Sequence, residues 1–151
     1  MTGVAIADIK HRLYEPGVLN LLSLSAYRPT PESMRGRADA YAADPAVHVY
    51  GCLNAGDSAE TPRGAVVLKL IGDVSAEILS IAADPAYRGQ GVGRALITCA
   101  AENLSGRALH AETDDEAVGF YRKCGFTIKN LGEKYPGIVR YHCILSQSTY
   151  R

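Results

Sequence analysis

Between residues 84 and 97 the chain reads DPAYRGQGVGRALI, with Gly89, Gly91 and Gly93 at alternate positions between Arg88 and Arg94. Glycines let a ligand come close to the backbone. The amides that open a helix have no partner inside it, and that end of the helix carries partial positive charge. With two arginines at the rim, such a turn suits an anion, and a diphosphate above all. A P-loop requires Lys and then Ser or Thr after its last glycine, whereas Gly93 is followed by Arg94 and Ala95. A dinucleotide fingerprint requires a third glycine where Arg94 stands. A tight turn with close helix–sheet packing is the alternative use of the same glycines.

Other reactive side chains are scattered. His11, His48, His110 and His142 show no ligand spacing, so they give no reason to expect a metal site. Cys52, Cys99, Cys124 and Cys143 show no paired spacing, which suggests free thiols in a reducing, cytoplasmic compartment of a bacterial-style protein. Cys124 reads as a small buried apolar group before it reads as a nucleophile.

The elements that must hold the glycine turn are readable from periodicity. A strand is expected at 4–10, and a helix at 16–27 through Val18, Leu21 and Leu22. A second helix at 30–44 opens on Thr30, Pro31 and Glu32. Strands at 46–54, 63–72 and 75–84 follow as an antiparallel meander, with turns at residues 54–57 and at Gly72-Asp73. A helix at 91–104 places Val92, Ala95, Leu96, Cys99 and Ala100 on one face and stops at Gly106. A strand at 108–112 leads to a helix with a Thr113–Glu116 capping box and a buried stripe of Ala117, Phe120, Tyr121 and Cys124, stopped by Gly125. Two strands around Tyr135-Pro136-Gly137 close the chain. The order β-α-α-β-β-β-α-β-α-β-β implies a mixed sheet with helices on its faces.

The 151 residues suit one domain. Apolar residues make up 47% and charged residues 21%, an ordinary globular balance. Lys plus Arg and Asp plus Glu number 16 each, which gives no reason to expect nucleic acid or an anionic membrane as partner. The start, MTGVAIADIK, has no basic segment leading into a long apolar run, so no signal peptide is expected. The stretch GAVVLKLIG is too short to span a bilayer.

The motif RGQGVG resembles the acetyl-coenzyme A loop of the GNAT superfamily of N-acetyltransferases, written Arg/Gln-x-x-Gly-x-Gly/Ala, with Arg88, Gly91 and Gly93 at its fixed positions. AEILSIAADPAYRGQGVG resembles the family's strand-to-loop segment, and AVGFYRKCGF its Ala-x-x-x-Tyr-x-x-x-Gly-Phe helix. The resemblance covers residues 46–145, and the first 45 match only in element order. It implies one acetyltransferase domain over 1–151 with an α/β (α+β) fold. That fold has a mixed, mostly antiparallel sheet of about seven strands, splayed near the cofactor and flanked by about four helices. It also implies acetyl-CoA as cosubstrate and no metal.

By the same resemblance, the backbone at Ile81, Ala82 and Ala83 holds the pantetheine and thioester end, with the Ile81 amide donating to the oxyanion. The amides of Gly89, Gln90, Gly91, Val92, Gly93 and Arg94, with Arg88 beside them, hold the diphosphate. Tyr121 matches the tyrosine that serves the departing sulfur, and Glu77 the glutamate that some members use as base. Asp114 stands where many members carry an asparagine against the pantetheine, and capping of the helix together with Thr113 is its alternative. Packing alone is the alternative for Tyr121, and a half-exposed strand carboxylate, or one that only binds the substrate cation, is the alternative for Glu77.

The implied reaction moves an acetyl group to a primary amine by direct attack. The acceptor is a small molecule or a protein N-terminus or lysine, and family habit adds a homodimer. A catalytically silent acyl-CoA-binding or sensing domain would share the loop and dispense with Glu77 and Tyr121.

Overall fold

A computed structural model describes residues 4–54, 56 and 60–146. The expected turn at residues 54–57 falls partly outside them. Seven strands and four α-helices are present among the described residues, in the order β1 (Val4–Asp8), α1 (Pro16–Ser23), α2 (Pro31–Ala43), β2 (Val47–Asn54), β3 (Gly64–Ile71), β4 (Ser75–Ala83), α3 (Val92–Glu102), β5 (Ala108–Thr113), α4 (Val118–Lys123), β6 (Thr127–Tyr135) and β7 (Ile138–Leu145). Short 3-10 turns at Lys10–Arg12 and Pro85–Tyr87, which periodicity does not announce, complete the list. The sheet order is β1-β2-β3-β4-β5-β7-β6. The pairs β1–β2, β2–β3, β5–β7 and β6–β7 are antiparallel, and β4–β5 is parallel. This is the expected mixed, mostly antiparallel sheet. No helix among the described residues is long and apolar enough to cross a membrane.

The chain divides into two compact units. The first holds β1, α1, α2, β2, β3 through Lys69, β4 from Leu79, and α3 through Ala100. Its core gathers Ile9, Leu13, Val18, Leu22, Val49 and Val67, among others. The Thr30 hydroxyl accepts from the Ser33 N–H at 3.0 Å, and the Ser33 hydroxyl accepts from the Thr30 N–H at 2.9 Å. With Pro31 at the first helical position, this starts α2 where the sequence predicts. The run GAVVL of β3 is buried at every position, as a strand covered on both faces must be. Helix α1 stops at Ser23 rather than running to 27, and its Val18, Leu21 and Leu22 are the predicted buried stripe.

The second unit holds Leu70–Ile78 and the chain from Ala101 onward. Its parallel ladder pairs Ser75, Ala76 and Glu77 of β4 with Ala108, Leu109 and His110 of β5. Strand β7 then joins β5, with Leu109 opposite Leu145 and Thr113 opposite Tyr141. Gly137, at φ 77°, makes the turn of the β6–β7 hairpin.

Candidate active site

In the first unit β4 ends at Ala83 and the chain enters the glycine turn. Asp84 Oδ1 accepts the Ala86 N–H at 2.9 Å and sets the 3-10 turn at Pro85–Tyr87. The N–H groups of Arg88 and Gln90 go to the carbonyls of Pro85 and Tyr87, at 3.4 and 3.3 Å. The backbone then turns left-handed twice, at Gly89 (φ 78°) and Gly91 (φ 77°), where a Cβ would be strained. The first helical bond of α3 runs from the Ala95 N–H to the Gly91 carbonyl, at 3.0 Å. The N–H groups of Val92 and Gly93 therefore precede the ladder, and among the described residues they meet no acceptor. Arg88, Gly89, Gln90, Gly91 and Arg94 are exposed, so their own side chains do not bury the turn. Val92 is buried and Gly93 half-buried. On β4 Ala82 is buried, with Ile81 and Ala83 half-buried on either side.

Two neighbours hold the turn in place, and neither was marked by sequence reasoning. The Arg63 guanidinium stacks over the Tyr87 ring, 4.5 Å from its centroid, and donates to Asn54 Oδ1. Its carbonyl accepts the Asp84 N–H at 2.7 Å, while its buried Nε meets no partner among the described residues. Gly64 of β3 sits under α3. A Cβ there would collide with Val92 Cγ1, and would lie 2.9 Å from the Ala82 carbonyl oxygen and 3.2 Å from Leu96 Cδ1. The predicted buried face of α3 is observed at Val92, Leu96 and Ala100. Ile97 and Ala101 join it, and Ala95 and Cys99 are only half-buried.

Tyr121 belongs to the second unit. Its ring is 5% exposed and packs edge-on against Phe120 and Phe126, with both centroid distances 5.2 Å. The hydroxyl has no hydrogen-bond partner among the described residues, yet it is not among the fully covered polar atoms. Burial, then the nearby Cys143 and Cys124 thiols, holds the phenol pKa well above its ordinary value, so the group stays protonated.

Helix α4 starts later than predicted, and the proposed Thr113–Glu116 capping box does not form. Thr113 is the last residue of β5, buried and paired with Tyr141. The strand ladder claims it before a helix can. Asp114 instead sets the turn ahead of α4, its Oδ1 accepting the N–H groups of Glu116 and Ala117 at 3.0 and 3.2 Å, and the helix itself starts after Ala117. Of the predicted stripe Tyr121 is buried, Ala117, Phe120 and Cys124 are half-buried, and Val118 completes the buried face.

Glu77 lines a cavity of about 450 Å³ within the second unit, with His110, Glu112 and His142 and an apolar wall that includes Ile71 and Leu131. His110 Nδ1 and His142 Nε2 lie 3.0 Å apart, and the rings stack at 5.2 Å between centroids. Glu112 is held by Lys134 Nζ at 2.7 Å and an Arg140 nitrogen at 3.6 Å, and these cations keep its carboxyl below the usual range. Among the described residues no cation or donor pairs with Glu77. Linear spacing hides the histidine pair because its members are 32 residues apart. The β5–β7 register, with Glu112 opposite His142 and His110 opposite Ile144, brings them onto one face. No group of three or more His, Cys, Asp or Glu among the described residues is arranged to hold a metal.

A family model described as an acetyltransferase (GNAT) domain matches residues 45–128. Glucosamine 6-phosphate N-acetyltransferase 1 of Oryza sativa subsp. japonica is 33% identical over 137 residues, covering 83% of this chain and 79% of its own. An uncharacterized protein of Mycobacterium leprae is 35% identical over 92 residues, 57% of this chain, and the match spans only 26% of that longer protein. The fold is similar to that of spermidine N-acetyltransferase from Vibrio cholerae, solved in complex with CoA and spermine. Its TM-score is 0.70 at 20% identity, over 99% of each chain. With a matched domain covering more than half its length and a relative aligned along most of both sequences, this chain belongs to the GNAT acetyltransferase family.

Proposed function

We propose that this protein is an acetyl-CoA-dependent N-acetyltransferase, its two units acting as one catalytic domain, that acetylates a primary amine by direct attack. The observation that carries the reading is the exposed double left-handed turn at Gly89 and Gly91, with the Val92 and Gly93 N–H groups left over at the head of α3. These features fit a diphosphate. Bare backbone lets phosphate oxygens approach, two N–H groups await acceptors, and the helix dipole and Arg88 favour negative charge. Residues Gly89 to Arg94 would hold that part of coenzyme A. The backbone of Ile81 to Ala83 would hold the pantetheine arm, with the Ile81 amide serving the oxyanion. Asp114 Oδ1 already serves two amides, which favours a turn-setting role over a cofactor contact.

The bound cosubstrate supplies a thioester. An acceptor amine of ordinary pKa ~10.4 arrives protonated at neutral pH. Glu77, without a cation of its own among the described residues, receives that ammonium beside the thioester. The Tyr121 hydroxyl holds a proton for the departing sulfur. Its lack of a partner on an otherwise buried ring favours an enzyme over a silent acyl-CoA-binding domain. The four cysteines are free, which fits a reducing, cytoplasmic setting. Calorimetric titration with coenzyme A tests the reading, with ATP as competitor. Saturable uptake that ATP does not displace supports it, and no uptake removes it. Thiol release from acetyl-CoA in the presence of spermidine or glucosamine 6-phosphate then reports transfer.

A further inference from the structure

Resting on the acetyltransferase reading, we propose that the cavity of the second unit is the amine-acceptor pocket. In it His110 receives the proton that the acceptor ammonium loses, His142 fixes the ring of His110, and Glu77 holds the positive charge in place.

The argument begins with the 3.0 Å separation of His110 Nδ1 and His142 Nε2. Between two imidazole nitrogens at that distance one N–H donates and one lone pair accepts. A first proton taken up by the pair leaves that bond intact. A second would set two N–H groups, and two cations, against each other. The pair is therefore a site for one proton. Near neutral pH an imidazole, with a reference pKa of about 6.5, accepts a proton more readily than a carboxylate at about 4.3.

The surrounding charges decide which ring carries that proton. On β4 Glu77 stands in register with His110, and Ser75 lies beyond it. On β6 Lys129 stands opposite His142, and on β7 Arg140 lies two residues before it. Glu112 of β5, opposite His142, is already neutralised by Lys134 and Arg140. Glu77, a carboxylate with no other partner among the described residues, thus stands beside His110 and favours positive charge there, while Lys129 and Arg140 stand on the His142 side. Burial and the second ring lower the pKa of His110 and Glu77 opposes them, so the ring rests neutral and ready to accept.

In the protonated state His110 donates Nδ1–H to His142 Nε2. Its Nε2 is the atom that takes up and releases the proton. The acceptor nitrogen sheds two protons as its bond to the acetyl carbon forms and the carbon–sulfur bond breaks. One goes to His110 and then to solvent. The other replaces the proton that Tyr121 gives to sulfur, and the products are the amide and a free thiol. The apolar wall of Ile71 and Leu131 suits an amine whose cationic end is carried on a short aliphatic or ring stem.

The test combines kinetics with nitrogen NMR. Acetyl transfer to spermidine and to glucosamine 6-phosphate is followed against pH for the wild type, His110→Asn and His142→Asn, with calorimetric coenzyme A titration on each. The wild-type rate should rise with pH through the titration of the pair. His110→Asn should lower kcat at neutral pH about 10²-fold and erase that limb. His142→Asn should keep the limb, displace it, and lose about tenfold through a misoriented ring. Both should bind coenzyme A normally. A purely structural pair would lower the melting temperature without moving the limb. On 15N-histidine wild-type protein a single proton should enter the pair, at His110. Unchanged pH profiles in the variants, or protonation at His142, would overturn the assignment even with coenzyme A uptake intact. If the wild type takes up no coenzyme A, the acetyltransferase reading fails and this inference with it.

Discussion

Removing one oxygen from Tyr121 separates what the residue does in packing from what it does in chemistry. The ring is buried against Phe120 and Phe126, and Tyr121→Phe keeps those contacts. A hydroxyl that donates inside a protein stabilises it by about 0.5–1.5 kcal/mol, but this one has no partner among the described residues. The expected stability change is therefore within about 0.5 kcal/mol, a shift of about 2 °C or less in Tm for a domain of this size. Tyr121→Ala removes the ring itself and should cost about 3–5 kcal/mol, or on the order of 10 °C. Turnover should behave in the opposite way. If the hydroxyl serves the departing sulfur, Tyr121→Phe should lose about 10²–10⁴-fold in kcat while its coenzyme A affinity stays at the wild-type level. Thermal melting, calorimetric titration and a thiol-release assay on one preparation measure all three quantities. A Phe variant that turns over normally, or one that melts several degrees lower and loses coenzyme A, would show that the hydroxyl is a structural group.

Other outcomes follow from the same geometry. Gly89 has φ 78° and open space where a Cβ would go, so Gly89→Ala should cost about 1–2 kcal/mol through backbone strain alone and weaken coenzyme A binding, read by melting and calorimetry. Gly64→Ala should cost about 1–3 kcal/mol by overpacking against Val92 and Leu96, and should weaken coenzyme A binding although residue 64 lies outside the glycine turn. Burial raises the Tyr121 pKa, so its share of stability is present below the unfolded phenol value of about 10 and is lost as pH rises beyond it. Tyr121→Phe should flatten that alkaline decline in denaturant titrations. The His110 pKa is lowered, so its share is present above the unfolded value of about 6.5 and fades as pH falls through the lower folded value. His110→Asn should remove that acid-side decline.

The glycine turn was legible as a turn because closely spaced glycines mark special backbone geometry, and Gly89 and Gly91 are indeed left-handed. Strands β2 to β4 were legible from their apolar runs and turn residues, and α2 from Thr30 and Pro31. The start of α4 was misread for a physical reason. A threonine three residues before a glutamate resembles a cap only until long-range pairing draws the threonine into a strand, and no local pattern reports that Thr113 faces Tyr141. The histidine pair was hidden in the same way, since neither His110 nor His142 has a telling neighbour in sequence. Gly64 looked like an ordinary strand entry. Its role depends on which helix crosses above it, and that is settled only by tertiary packing.

That last glycine changes how such a motif should be scanned for. Val92 and Leu96 rest where residue 64 would otherwise project a side chain, so the height of the first turn of α3 above the sheet is set well upstream of the signature itself, which begins only at Arg88. A homologue with every glycine of the turn intact but a valine at position 64 would still score as a match, and its helix would be levered off the strand beneath. Searches for active relatives, and grafts of this turn onto other scaffolds, should therefore treat the bare spot on β3 as part of the motif.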